Sequence, residues 1–455
     1  MSGDLPGGLA RPLGGLDGVV LTGADPALPT PWPIGTAAAV ALAHVGRAAA
    51  RMSVLGGGQP GAVRVDVTAA ATSLISFAVQ RLDGQPTLRT NDGNPLVDRY
   101  RCADGRWIHL HGGFPGLADR LRAELGLGAA PTAEEVAAAC AGRGSSELED
   151  AVAVRGGAAA IVRSAPEWAA HPHGSVVRAL PPTRTRTTGS TTPDRGGWAP
   201  DPVRPLAGLR VLDLTRVLAG PTCGRTLAAL GADVLHVRAA HLPNVPAFVI
   251  DTGHGKRQAG CDLRDPDQAA ALRAVARRAH VVVQGYRPGV MARFGLDADG
   301  LRTDGWSGTF ASISCYGPDG PWAGRAGWEQ LAQSASGLAE LVGDGPPRLL
   351  PAAATDYTTG YLAGAAVVDA VADALGDGRG RDVEASLCQT AGWLLDAGPV
   401  CDPTAATGIG APTLAAVDTA WGRLEHLPPA VAVDGLHVGW DRPPAPVGAG
   451  PLRWA

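Results

Sequence analysis

Between residues 205 and 315 short apolar runs alternate with stretches of helical period. LRVLDL at 209–214, ADVLHV at 232–237, VVV at 281–283 and GTFASISC at 308–315 each suit a strand buried on both faces. Residues 222–230, after the Gly220-Pro221 break and closed by Gly231, read as a helix, as do 269–280. Strands alternating with helices predict βαβ units in a parallel, doubly wound sheet. Ligands on such sheets bind beyond the carboxyl ends of the strands, here residues 218–221, 284–289 and 316–321.

The first 180 residues pattern differently. A helix at 35–52 leads through Gly56-Gly57-Gly58 into a strand at 63–67 and a further helix from Thr68. YRC at 100–102 and WIHL at 107–110 flank Ala103-Asp104-Gly105 as a hairpin, and helices follow at 114–125 and 132–141. This is a smaller α+β domain without its own βαβ series. PPTRTRTTGSTTPDRGGWAPDPVR at 181–204 lacks apolar periodicity and reads as a linker. The expected organisation is therefore 1–180, a linker at 181–204, a Rossmann-like domain at 205–400 and an irregular, Pro-rich tail at 401–455. A faint repeat relates 35–68 to 360–386: a Gly-led Ala/Val helix, a Gly-rich turn, then a V-[DE]-[VA]-[ST] strand.

Composition narrows the classes. With 455 residues the chain is long enough for two or three domains. A net charge of −4 leaves no footprint for nucleic acid or an anionic membrane. The apolar runs at 34–45 and 361–375 are shorter than the roughly 20 residues of a membrane span and read as buried helices. Seven cysteines without a CxxC pair, and no basic-then-apolar leader pattern, fit a reduced, cytoplasmic setting. Lysine occurs once, at Lys256, against abundant arginine, which reads as a coding bias.

The chemistry lies in an ordered set of motifs: PLAGLRVLDLTRVLAGP from Pro205, GADVLHV, YRPGV with FGL, GWEQLAQSASG, and DYTTG from Asp356. In this order and spacing they resemble the family III CoA-transferases, the CaiB/BaiF type, which includes formyl-CoA transferases and 2-methylacyl-CoA racemases. The Rossmann-like part of that family corresponds to 205–390. Its small domain is similar to 94–126, and EWAAHPHG at 167–174 resembles the region after it, so the segment order is swapped. The resemblance implies a CoA-transferase that moves CoA between carboxylic acids, with Asp356 as nucleophile by way of an aspartyl-CoA thioester.

It also implies Glu329 as an acidic group near the nucleophile, and CoA contacts at Leu218, Ala219, Arg238, Cys261, Asp262, Leu263, Arg264, Gly285, Tyr286, Arg287, Arg293, Gly327 and Trp328. The partners it implies are an acyl-CoA, a carboxylic acid acceptor and a second copy in an intertwined homodimer. Coenzyme A serves as substrate, with no permanently bound cofactor.

Several residues depart from the family pattern. His236-Val237-Arg238 replaces Lys-x-Glu, Ala239 replaces an Arg, and Gly285 an Asn. In the faint repeat, Pro31 stands where Asp356 does, so only the second copy can supply a carboxylate. These motivate an alternative: a catalytically impaired relative that binds CoA esters or a partner subunit. A racemase ranks third. Trp328 occupies the place of the racemases' histidine and has no acid–base capacity. Asp356 also suits a helix N-cap, and Glu329 an exposed helix acid. His109 and His111 alternate onto one face of a strand with no third ligand for a metal, and no GxGxxG follows a first strand.

Overall fold

A computed structural model describes residues 8–10, 14–88, 93–191, 197–339, 345–399 and 401–454. Its central sheet has seven strands in the spatial order Lys256–Gly260, Asp233–Arg238, Arg210–Leu214, Val281–Gln284, Thr309–Ser314, Arg379–Ser386, Thr183–Thr191. The first six are mutually parallel and the last is antiparallel. Apolar side chains alternate between two cores. Val211, Val281, Val283 and Ile313 face the layer holding helices Ala219–Ala229 and Ala354–Asp377. Leu212, Leu214, Val282 and Phe310 face Leu272 and Trp306 on the other side. Burial on both faces explains why these strands are continuous apolar runs.

Two strands escape that signal because they are edges. Lys256–Gly260 reads KRQAG, and its arginine is tied to Asp233 of the next strand at 2.7 Å. Thr183–Thr191 lies inside the segment expected to be a linker. Its alternating Thr and Arg residues put Arg184 and Arg186 against Glu384 of the neighbouring strand. β-Branched threonines with outward charges suit an edge. The tail is also more regular than expected. Ala415–Thr419 and Gly422–His426 form a hairpin on Arg81–Leu82, and the indoles of Trp440 and Trp454 donate to the carbonyls of Arg225 and Val275.

The first 180 residues do not form one unit. Helix Ile34–Leu55 packs along Ala354–Asp377 within a shared core, both faces being rich in alanine, which lets the axes approach closely. The half-exposed pairs of Arg51 with Asp369 and Asp373 add little beside that packing. Both helices are followed by a strand and a short helix, Val63–Asp66 with Val67–Ser73 and Arg379–Ser386 with Leu387–Asp396, which is the faint repeat in three dimensions. The smaller α+β unit is confined to about residues 94–163. Strands Arg99–Arg101, Trp107–Leu110 and Ala159–Ile161 carry helices Pro115–Leu125, Ala133–Ala141 and Ser145–Val154 over a core of Leu96, Tyr100, Ile108, Leu121 and Leu148.

Five imidazoles are buried among the described residues, His173 and His254 besides His109, His111 and His236. Burial pushes His109 and His236 down to about 3 and His111 to about 4, so all three are neutral when folded. In the unfolded chain they titrate near 6.5. Their contribution is complete above that value and is lost as pH falls towards 4. We expect the urea midpoint to decline steadily between pH 6.5 and 5, and a pH-independent midpoint over that range contradicts this account.

Candidate functional site

Asp356 sits in the first turn of Ala354–Asp377, whose N-cap residue, Ala353, offers no side-chain acceptor. The orphan N–H groups of that turn need a partner, and Glu329, the first residue of helix Glu329–Ser336, supplies it. Its carboxylate accepts from the backbone N–H of Thr355 at 3.0 Å and of Asp356 at 2.5 Å. It also accepts from the Thr355 hydroxyl at 2.5 Å and the Gln333 side-chain amide at 2.6 Å. Glu329 therefore does the capping that the sequence offered to Asp356. The Asp356 carboxyl is left free to face a cavity, where the backbone N–H of Ala219 donates to it.

Both carboxyls are buried, Asp356 being 6% exposed. Burial and then the charge of Glu329 raise Asp356 well above its usual value near 3.8. Burial raises Glu329 too, but its hydrogen bonds oppose this. Four donors support the Glu329 carboxylate, whereas at Asp356 the Ala219 N–H is what opposes burial and the Glu329 charge. A raised carboxyl contributes stability that is complete below about 3.8 and is lost as pH rises through the folded value. Asp356→Asn should thus melt higher than the wild type at neutral pH, and the gain should shrink on acidification towards pH 4. A lower melting temperature at pH 7 would remove the basis of this argument.

Ala219 is held in place by a strained loop. Val217, a β-branched residue, has φ of +70°, a conformation that costs on the order of 1–3 kcal/mol. Both flanks of the loop are pinned from below. Asp213 accepts from the Thr215 N–H at 3.0 Å and from its hydroxyl at 2.5 Å, and His236 Nε2 meets the Thr215 carbonyl at 3.0 Å. On the other flank Lys256 donates to the Pro221 carbonyl and to Asp213, each at 2.7 Å. Burial pulls Lys256 down and is also the largest single influence on Asp213, pushing it up, yet the Lys256 charge, His236 and the hydrogen bonds from Lys256 and Thr215 together leave Asp213 below its usual range. Two acceptors at 2.7 Å hold the ammonium form. The strand residue His236, which departs from the family pattern, thus serves the loop rather than a ligand.

Glycine makes the close approach possible. Gly360 lies one turn beyond Asp356 on the same helix face, where a β-carbon would be 2.6 Å from the Ala219 carbonyl oxygen.

The cavity has a volume of about 400 Å³ and opens at the carboxyl ends of the parallel strands. Leu218, Ala219, Gly285, Tyr286, Arg287, Gly327, Trp328 and Asp356 line it, so eight of the residues singled out in the sequence converge. The others do not reach it. Glu329 is spent on the helix N-terminus. Arg238 is buried, and Cys261 donates to the Gln268 carbonyl within the second core. Leu263 packs against that same core, Arg264 is engaged by Asp262, and Arg293 is exposed on the short turn Ala292–Phe294.

Among the lining residues not anticipated from the sequence are Phe114, Leu117 and Arg120 from the small unit, and Arg216 before the strained valine. Arg216 lies inside a quoted motif and could have been found. The other three required knowing that the small unit folds onto the cleft of its own chain. Trp328 lines the cavity with its ring stacked on His111 at 5.0 Å and near Phe114 at 5.7 Å. Among the described residues no group of three or more His, Cys, Asp or Glu could hold a metal, and no helix is long and apolar enough to cross a membrane.

Residues 206–414 match the family model described as CoA-transferase family III. The chain is 31% identical over 323 residues to an acetyl-coenzyme A transferase of Hypoxylon pulicicidum, covering 66% of this chain and 54% of that one. It is 34% identical over 211 residues to a succinate–glutarate CoA-transferase of Agrobacterium fabrum, covering 42% and 53%. Among solved structures, a hypothetical protein of Mycobacterium tuberculosis aligns at 28% identity with a TM-score of 0.41, covering 43% of this chain and 58% of that one. The chain spans about half the length of the curated relatives it matches.

Proposed function

Since residues 206–414 belong to CoA-transferase family III, we propose that the chain transfers CoA between carboxylic acids with Asp356 as the nucleophile. The observation that carries this is the Asp356 carboxyl itself: buried, relieved of capping by Glu329, facing the cavity and met by the Ala219 N–H. In the proposed sequence the Asp356 carboxylate attacks the thioester carbonyl of an acyl-CoA. The C–S bond breaks, CoA leaves as a thiolate, and a mixed anhydride remains. The thiolate then attacks the aspartyl carbonyl, expelling the donor acid as its carboxylate and leaving an aspartyl-CoA thioester.

The acceptor carboxylate next attacks that thioester, and the thiolate released takes the new acyl group, which frees Asp356. Anhydride and thioester are similarly activated, so no ATP is needed. Ala219 N–H, at a helix N-terminus and held by the pinned loop, is suited to stabilise the oxyanion at each attack. Among the described residues no imidazole lines the cavity, which favours transfer over the racemase reading.

Incubation with an acyl-CoA followed by intact-mass analysis should show a covalent adduct on Asp356, and added hydroxylamine should inactivate only in the presence of acyl-CoA. Absence of both with every donor tried counts against the reading. The small unit reaches the cleft within one chain, and the proposal retains a homodimer of such chains. A monomer by light scattering at micromolar concentration removes that part.

A further inference from the structure

Among the described residues Asp356 is the one acidic side chain lining the cavity, against four arginines, Arg120, Arg216, Arg287 and Arg325. Arg325 is occupied: it pairs with Asp150 at 2.5 Å and lies 4.3 Å over the Trp322 ring. The other three have no carboxylate partner among the described residues. Arg216 donates to the Pro243 carbonyl and sits 5.7 Å over the Phe114 ring. Arg287 follows strand Val281–Gln284 and, among the described residues, donates only to the Gly156 carbonyl, at 3.2 Å.

Arg120 comes from the opposite wall, on helix Pro115–Leu125 of the small unit, and makes no hydrogen bond or ion pair among the described residues. The two guanidiniums meet at Gly156, where a β-carbon would lie 3.7 Å from both Arg120 Nε and Arg287 Nη1. Burial, and after it the charge of Arg120, lowers the proton affinity of Arg287. Like charges gathered at a cleft mouth with no acid between them cost energy in the empty protein. A polyanion spanning the two walls removes that cost and accepts forked, charge-assisted hydrogen bonds from each.

We propose that Arg120 and Arg287 together clamp the phosphates of the CoA nucleotide, so that the small unit, although it precedes the sheet domain in the chain, supplies half of the phosphate grip. The proposal rests on the CoA-transferase reading. CoA carries a pyrophosphate and a ribose 3′-phosphate, and pantetheine carries neither, so the two ligands separate the nucleotide end from the thiol end.

Titration calorimetry with CoA and with pantetheine tests it on the full chain and on Arg120→Gln and Arg120→Lys, at an exposed helix position. Arg120→Gln should weaken CoA at least tenfold and leave pantetheine unchanged. Arg120→Lys, which keeps the charge but not the fork, should fall between. Equal CoA affinity in the wild type and Arg120→Gln overturns the clamp and leaves the transferase reading standing. Equal weakening of CoA and pantetheine also overturns it, because the arginine then acts on the cleft as a whole. A wild type that binds CoA no better than pantetheine overturns the clamp, and one that binds neither sinks the transferase reading with it.

Discussion

Asp356→Asn is expected to lower turnover by at least about 10⁴-fold, the scale of losing a covalent nucleophile, while CoA still binds within a few-fold of the wild type. The substitution is nearly isosteric. Glu329 still receives the N–H groups of residues 355 and 356, and the asparagine oxygen can still accept from Ala219. What disappears is the carboxylate oxygen that must bond to the acyl carbon, and with it the hydroxylamine-sensitive adduct. A variant with near-normal turnover would show that the chemistry runs elsewhere. The same variant should be the more stable protein at neutral pH. Lower activity with higher stability is the signature of a group held in place against its own solvation, and a merely structural aspartate would show the reverse.

The largest expected loss of stability is at Lys256. Lys256→Met leaves Asp213 buried without its counter-charge and the Pro221 carbonyl without a donor, where both side chains of the pair are 0% exposed. Removing one partner of a buried pair costs about 3–5 kcal/mol, a large part of the roughly 5–15 kcal/mol that folded domains possess. Urea denaturation should register this as a lower midpoint. Replacing the pair together, Lys256→Met with Asp213→Leu, should recover part of the loss, because apolar contacts can replace a buried ion pair. Turnover should not return, since the Asp213 contacts to Thr215 and the Lys256 contact to Pro221 are then lost on the two sides of the strained Val217, and His236 alone still meets the Thr215 carbonyl. Recovery of both stability and turnover in the double variant would refute a positioning role for the pair.

The legible parts of this protein are those whose signal is local. LRVLDL and VVV announce central strands because both faces are buried, and Asp356 was singled out because its motif set travels as a unit. KRQAG and TRTRTTGST were opaque for the opposite reason: at a sheet edge polarity is required, so apolar periodicity is absent. The placement of Glu329 was half legible. Its proximity to Asp356 followed from the resemblance, but its work as the external cap of the Asp356 helix depends on how two helix N-termini meet, which no spacing encodes. Arg120 was invisible for a related reason. Its role depends on two walls separated by more than 160 residues converging at Gly156.

The solitary lysine has one more consequence. Lys256 is 1% exposed, so the folded surface presents no side-chain primary amine. Succinimidyl esters, acetic anhydride and other amine-directed reagents have no lysine to modify until the edge strand carrying it comes away from the sheet. Each labelled Lys256 therefore records one opening of the ground on which the Ala219 loop stands, which makes residue 256 a built-in counter of rare excursions from the native state.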